Sequence, residues 1–218
     1  MGSSHSGHNG AVTVPDTPYQ VRRAPTQYRA SRQIERILDA ASRVVTEKGF
    51  AGTTTADIAK SAKVSIGSVY RYFPDKVAVM KAVVERNSAR YQRRVDEETA
   101  AMPSHRWREA VEHAYDIYVD MCRGDDGFRA LSGAGIASGE LESTAAGVED
   151  PLSPAFAQML TARFDFPASP ELRTTMLQAV TIGDVLTRLA FRLVPGGHPE
   201  TLAQTKRIIV DLLAPHAP

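Results

Sequence analysis

The chain has 218 residues, 43% of them hydrophobic, enough apolar side chain to build a core for one large domain or two small ones. Its single cysteine, Cys122, excludes an internal disulfide and fits a reducing compartment, and no run of about 18 apolar residues is available to span a membrane. The net charge of +1 conceals a basic half, residues 1–95 at +9, followed by an acidic half, residues 96–218 at −8, an imbalance that suits a polyanionic partner for the first half only. With no basic-then-apolar leader pattern either, a soluble cytoplasmic protein without membrane partners is expected.

Residues 1–28 are rich in Gly, Ser, Pro and Thr without periodicity and read as a disordered arm. From Arg29 onward, Ile34, Leu38, Ala41 and Val45 recur at helical spacing, and Gly49 stops this first helix. Thr54 and Asp57 have capping-box spacing, so Thr54 caps a second helix through TADIAKSA. After a turn at Lys63 and Val64, Ser65 caps a third helix over 66–72. A fourth runs from Asp75 to Met102, where Pro103 ends it. At 1.5 Å per residue it is about 40 Å long, enough to link two bodies.

Beyond Pro103 the signals remain helical. The segment Trp107 to Cys122 is apolar on two faces and is expected to be buried between neighbours. Gly- and Pro-containing segments interrupt the chain near 124–127 and 147–154. SPAFAQML and SPELRTTMLQAV each open with Ser then Pro, an N-cap and first-turn pair. The second of these continues to Leu193, and after PGGHP a last helix carries Leu202, Ile209, Leu212 and Leu213. No strand signal or internal repeat is present, so the fold class is all-α.

The stretch SIGSVYRYFPDK, residues 65–76, carries the function. A seven-residue helix containing glycine is not stable alone in water, so packing must hold it. Val69 and Phe73, four residues apart, are the anchors, with Val64 beside them. Gly67 then lets a bulky surface approach the backbone. Ser68 and Arg71 can reach base edges, and the Tyr70 and Tyr72 hydroxyls and the Lys76 ammonium suit phosphate oxygens. Two helices joined by a tight turn, the second presented outward, form a helix-turn-helix. Ile66 lies angularly between the anchors and Tyr70, so both the groove and the core are open to it.

The run AASRVVTEKGFAGTTTADIAKSAKVSIGSVYRYFPDKVAVMKAV resembles the DNA-binding segment of TetR-family transcriptional regulators. The resemblance covers roughly residues 30–85 and rests on Gly49-Phe50, the Thr-rich start, Ile58-Ala59, Val64-Ser65, Gly67, Tyr70, Tyr72-Phe73 and Lys76. One departure is Lys63, where that family often has glycine; a left-handed backbone there would strain lysine. The resemblance implies that Thr54 and Thr55 meet the DNA backbone. It further implies that Ser65, Ile66, Gly67, Ser68 and Arg71 face the major groove, Ile66 against a thymine methyl, and that Tyr70, Tyr72 and Lys76 clamp phosphates. Arg22, Arg23 and Arg29 suit an adjoining minor groove by charge alone, and equally suit a solubilising arm.

The resemblance also implies a homodimer on a near-palindromic operator of double-stranded DNA, released by a small-molecule effector. The last two helices carry broad apolar stripes that fit either a dimer interface or the closing of the monomer core, and Gly183 permits close helix contact. Trp107, Tyr115, Tyr118, Met121, Phe128, Phe156, Met159 and Met176 are candidates to line an effector cavity of some hundreds of Å³. Their lack of charge favours an apolar or aromatic molecule with one or two polar groups, and His113 and Asp116 are candidate polar contacts.

The expected organisation is an arm over 1–28, a three-helix helix-turn-helix domain over 29–74, a linking helix over 75–102, and a ligand-binding and dimerisation domain over 103–218. No catalytic motif, metal-spaced Cys/His cluster or cofactor signature is present, so neither an enzyme nor a cofactor or metal is expected. The rival reading is a helix-turn-helix protein without an effector, which would show a filled C-terminal core.

Overall fold

The computed structural model describes residues 25–131 and 151–218. Arg22 and Arg23 lie outside the described residues. Every regular element among the described residues is helical: α1 (Pro25–Gly52), α2 (Thr55–Ala62), α3 (Ile66–Tyr70), α4 (Lys76–Thr99), α5 (Trp107–Gly124), α6 (Asp126–Leu131), α7 (Leu152–Arg163), α8 (Pro170–Leu193) and α9 (Pro199–Leu213). No helix among the described residues is long and apolar enough to cross a membrane.

Several boundaries differ from the expected ones for local reasons. Residues 25–28, placed in the arm by composition, belong to α1. Gly49 does break α1, with φ 70 and ψ 170 inside the helix. The third helix closes at Tyr70 rather than 72, because Tyr72 and Phe73 N–H groups both turn back onto the Val69 carbonyl. The linking helix ends at Thr99, three residues short of Met102, and the Thr99 hydroxyl donates to the Val95 carbonyl at 2.7 Å. Ser153 and Pro154 do not open α7; the helix starts at Leu152 with Pro151 in the cap position. At α8 the Ser-Pro reading holds, Ser169 accepting from the Leu172 N–H at 3.0 Å.

Two cores form. The first gathers Ile37, Ala41, Ile58, Val69, Val79 and Val83 from α1–α4. The second gathers Tyr91 and Val95 from α4 with Trp107, Ile117, Leu160 and Leu172. Burying each such Val, Ile or Leu stabilises the fold by about 1.5–3 kcal/mol.

One element of the second half, α6, contributes to both cores. α6 packs on α1 and α4 as well as on α5. Its Leu131 belongs to the first core, whereas Phe128, three residues earlier, belongs to the second. Close approach explains Gly127: a Cβ there would lie 2.7 Å from Ser42 Cβ of α1. Gly127→Ala is therefore expected to destabilise the protein by about 1–3 kcal/mol through overpacking. Ser42→Gly should recover most of that loss in urea unfolding, whereas an equal loss in the double variant would show that the α1–α6 contact is not its source.

Candidate nucleic-acid interface and effector cavity

The second helix is capped as its sequence dictates. Thr54 Oγ1 accepts from the Asp57 N–H at 3.1 Å, and Asp57 Oδ2 accepts from the Thr54 N–H at 3.2 Å and hydroxyl at 2.7 Å. The Lys48 ammonium, 2.7 Å from Asp57 Oδ1, and then the Thr54 hydroxyl hold the Asp57 carboxyl down at about 2. Thr54 is exposed and Thr55 half-buried at this N-terminus. The turn that follows is left-handed at Lys63, φ 54 and ψ 46, the conformation in which glycine would be unstrained. Arg36 stiffens it, donating to the Ala62 carbonyl at 2.7 Å.

Val69 is fully buried and Phe73 nearly so, both in the first core. This pair fixes the rotation of α3 and turns a surface outward. Ile66 is 46% exposed and Tyr70 52%, so Ile66 faces away from the core. Gly67 and Arg71 are exposed as well. A Cβ at Gly67 would meet only Ser65 Oγ at 3.9 Å, so nothing inside the protein requires glycine. Ser65 Oγ accepts from the Ser68 N–H at 3.1 Å, and the two hydroxyls lie 2.9 Å apart, which orients both. Tyr72 is half-buried against the first core, its ring 6.0 Å from the Arg71 guanidinium.

Lys76 departs from expectation. Its ammonium donates to the Phe50 and Thr53 carbonyls at 3.1 Å each and lies 4.6 Å from the Phe50 ring centre. It neutralises the C-terminal end of α1, where carbonyl dipoles concentrate negative charge. A phosphate would have to compete with those partners.

In the second half, an apolar cavity of about 80 Å³ lies between α4, α5, α7, α8 and α9. Tyr115, Tyr118, Phe156, Met159 and Met176 line it, five of the eight expected residues. The other three pack elsewhere. Trp107 meets Phe166 edge-on at 5.2 Å, and Met121 packs, half-buried, against the core. Phe128 meets Tyr118 at 5.7 Å on the side towards α6. The cavity, about 80 Å³, is also smaller than the hundreds of Å³ expected. His113 and Asp116 are surface ion-pair members, with Glu98 at 2.8 Å and Lys206 at 2.6 Å, and are absent from the lining.

Sequence reasoning missed Tyr91 and Asp184 as lining residues. Tyr91 donates to the Ala114 carbonyl at 2.9 Å; burial, then Cys122 and Tyr115, raise its phenol well above the usual range. Asp184, 4% exposed, accepts from the Tyr118 hydroxyl at 2.6 Å, and Arg188 lies 2.9 Å from its other oxygen. The Tyr115 hydroxyl is 2.8 Å from that of Thr187, and its phenol too is raised, chiefly by burial. The available signal for Asp184 is an acid inside the apolar run of α8, TIGDVL.

A three-helix reader with an outward-facing α3, joined by a shared helix to a helical body that encloses an apolar cavity, defines the class of protein. The family described as bacterial regulatory proteins, tetR family, matches residues 37–83, and the one described as tetracyclin repressor-like, C-terminal domain, matches residues 105–217. The second alone spans over half of the chain, and the chain belongs to the TetR family of DNA-binding transcriptional regulators, which are not enzymes. A solved TetR-family regulator from Streptomyces coelicolor is similar at 29% identity and a TM-score of 0.71, covering 84% of this chain and 99% of that one. The transcriptional regulator FadR of Bacillus subtilis, solved in complex with stearoyl-CoA, shares the fold at 16% identity and a TM-score of 0.60, covering 82% of this chain and 96% of that one. The uncharacterized HTH-type transcriptional regulator YvkB of Bacillus subtilis is 38% identical over 55 residues, 25% of this chain and 29% of that relative's length.

Lys76→Ala is expected to lower the unfolding free energy by about 1–2 kcal/mol in the absence of DNA, through lost carbonyl and ring contacts. Unchanged stability in denaturant titration, with weakened DNA binding, would restore Lys76 to the phosphate role.

Proposed function

We propose that the protein is a homodimeric cytoplasmic repressor that reads a near-palindromic operator through α3 and releases it when a small molecule occupies the cavity. The outward surface of α3 carries this reading. Ile66, Gly67, Ser68 and Arg71 form its base-facing side, with Ser65 at its start, and Gly67 admits the duplex edge where the fold itself has no need of glycine. Tyr70 and Tyr72 flank that surface and meet phosphates, and Thr54 and Thr55 meet the backbone at the start of α2. Exposed Arg29, near the start of α1, adds positive potential.

The dimer is assigned to α8 and α9. Leu177 and Val185, about two turns apart on α8, are 48% and 44% exposed, and apolar side chains on that scale are rarely left to water in a repeated row. Gly183 serves a different contact, the approach of Ile209 from α9 of the same chain, whose Cδ1 would lie 3.1 Å from an added Cβ. Two α3 helices on successive major grooves then sit about 34–36 Å apart.

Coupling runs through two elements. α4 joins both cores, and α6 places Phe128 on Tyr118 of the cavity wall and Leu131 in the reader's core. An effector that displaces Tyr118 moves both, and lowers operator affinity by its preference for the displaced arrangement and no more. The small cavity favours a second reading, a regulator with no effector, which predicts identical operator binding in the presence of any cavity ligand.

Selection of bound sites from random DNA is expected to return two half-sites about ten base pairs apart. Arg71→Ala should relax preference at one base pair, at a cost of about 1–3 kcal/mol, while a uniform loss on random DNA would make Arg71 a phosphate contact. Val185→Glu should yield monomers in sedimentation with the helical signal intact. A dimer that survives this change has its interface elsewhere.

A further inference from the structure

The chemical class of the effector can be read from the cavity's polar groups. Asp184 is the one acidic or basic side chain among the described residues that line it. Its carboxylate is buried, and Arg188, one turn further along α8, compensates the charge without lining the cavity. Among the described residues, this ion pair offsets the Asp184 charge at the cavity wall. A second cation or anion would enter a low-dielectric space as a surplus charge.

The hydroxyl protons sharpen this. A phenol has one proton to give. Tyr118 gives its proton to Asp184, and Tyr91 gives its proton to the Ala114 carbonyl. Towards a ligand these two oxygens can only accept, and so can the carboxylate. Among the described residues, the other polar group of the wall is the Tyr115 hydroxyl, engaged with Thr187 at 2.8 Å, and side chains such as Val111, Phe156, Met159, Leu160 and Met176 offer no hydrogen bond of ordinary strength. A carboxylate ligand brings acceptors to acceptors. A neutral alcohol, phenol or N–H group brings the complementary donor.

We infer that this cavity selects neutral apolar molecules bearing one hydrogen-bond donor, which is directed at the Asp184 carboxylate beside Tyr118, and that it rejects carboxylates. This rests on the reading of the cavity as the effector site. Asp184 is then the specificity-determining residue, and its hydrogen-bond partner Tyr118 is not needed for the preference.

Four matched probes decide the matter by calorimetry on the full chain: ethylbenzene, 4-ethylphenol, 4-ethylbenzoate and 4-ethylbenzylammonium. The phenol is expected to bind about tenfold or more tightly than the benzoate, and more tightly than the ammonium or the hydrocarbon. Asp184→Asn should reduce the phenol-to-benzoate ratio to within about threefold, whereas Tyr118→Phe should keep it, because the carboxylate carries the preference. A role in packing alone would move both variants together and would overturn the assignment. So would a benzoate or ammonium that binds wild type as well as the phenol does, or a hydrocarbon that equals it. If Asp184→Asn does not fold, the wild-type ranking and Tyr118→Phe still decide. Binding by none of the four overturns the effector site itself, an outcome distinct from binding without preference.

Discussion

Everything the reader domain does depends on Val69 and Phe73 being drawn into the first core. A five-residue helix has too few internal hydrogen bonds to offset its own ordering, so its orientation is set by what it buries. Two side chains four residues apart fix both tilt and rotation. Once they are seated, Ile66, Tyr70 and Arg71 have no direction left but outward. Ser65, as cap, fixes the start, and Arg36 braces the strained turn at Lys63. The exposed surface is thus a by-product of anchoring and not of any preference of its own residues for water.

The second half solves the opposite problem, keeping polar groups inside an apolar body. Each observed hydroxyl there has a defined partner: Tyr91 the Ala114 carbonyl, Tyr115 the Thr187 hydroxyl, Tyr118 the Asp184 carboxylate. Such pairing removes most of the desolvation cost and leaves a wall whose polarity is directional. Among the apolar lining residues, Met159 and Met176 adopt other rotamers at little cost. Firm polar groups set against yielding apolar ones suit a site that sorts by chemistry before it sorts by size.

Between the two halves, α6 belongs to neither. With Phe128 in one core and Leu131 in the other, α6 ties α5 beside Tyr118 to α1, where the contact at Gly127 is too close for a side chain. Packed interfaces of this kind have few intermediate positions, since a shift either keeps the interdigitation or replaces it. α4 alone could transmit a tilt; α4 and α6 together constrain its direction.

The sequence by itself determined the all-α class, the capping box at Thr54 and Asp57, the Ser65 cap, the anchoring of the third helix and the Ser-Pro start of α8. These are written in neighbouring residues, because helical periodicity and caps act over three or four positions. It likewise implied the outward face at Gly67, Tyr70 and Arg71, and the family by motif spacing, while Ile66, open to groove or core by its angle, was settled by the structure. Only the tertiary structure decided that Lys76 binds the end of α1, that Phe128 packs from α6 onto Tyr118 instead of lining the cavity, and that Asp184 stands in the cavity wall with Tyr118. Each of these depends on a partner 26, 10 or 66 residues away along the chain, a pairing that periodicity does not encode. A local pattern says which side of a helix is buried; what that side meets is settled only when the other helices arrive.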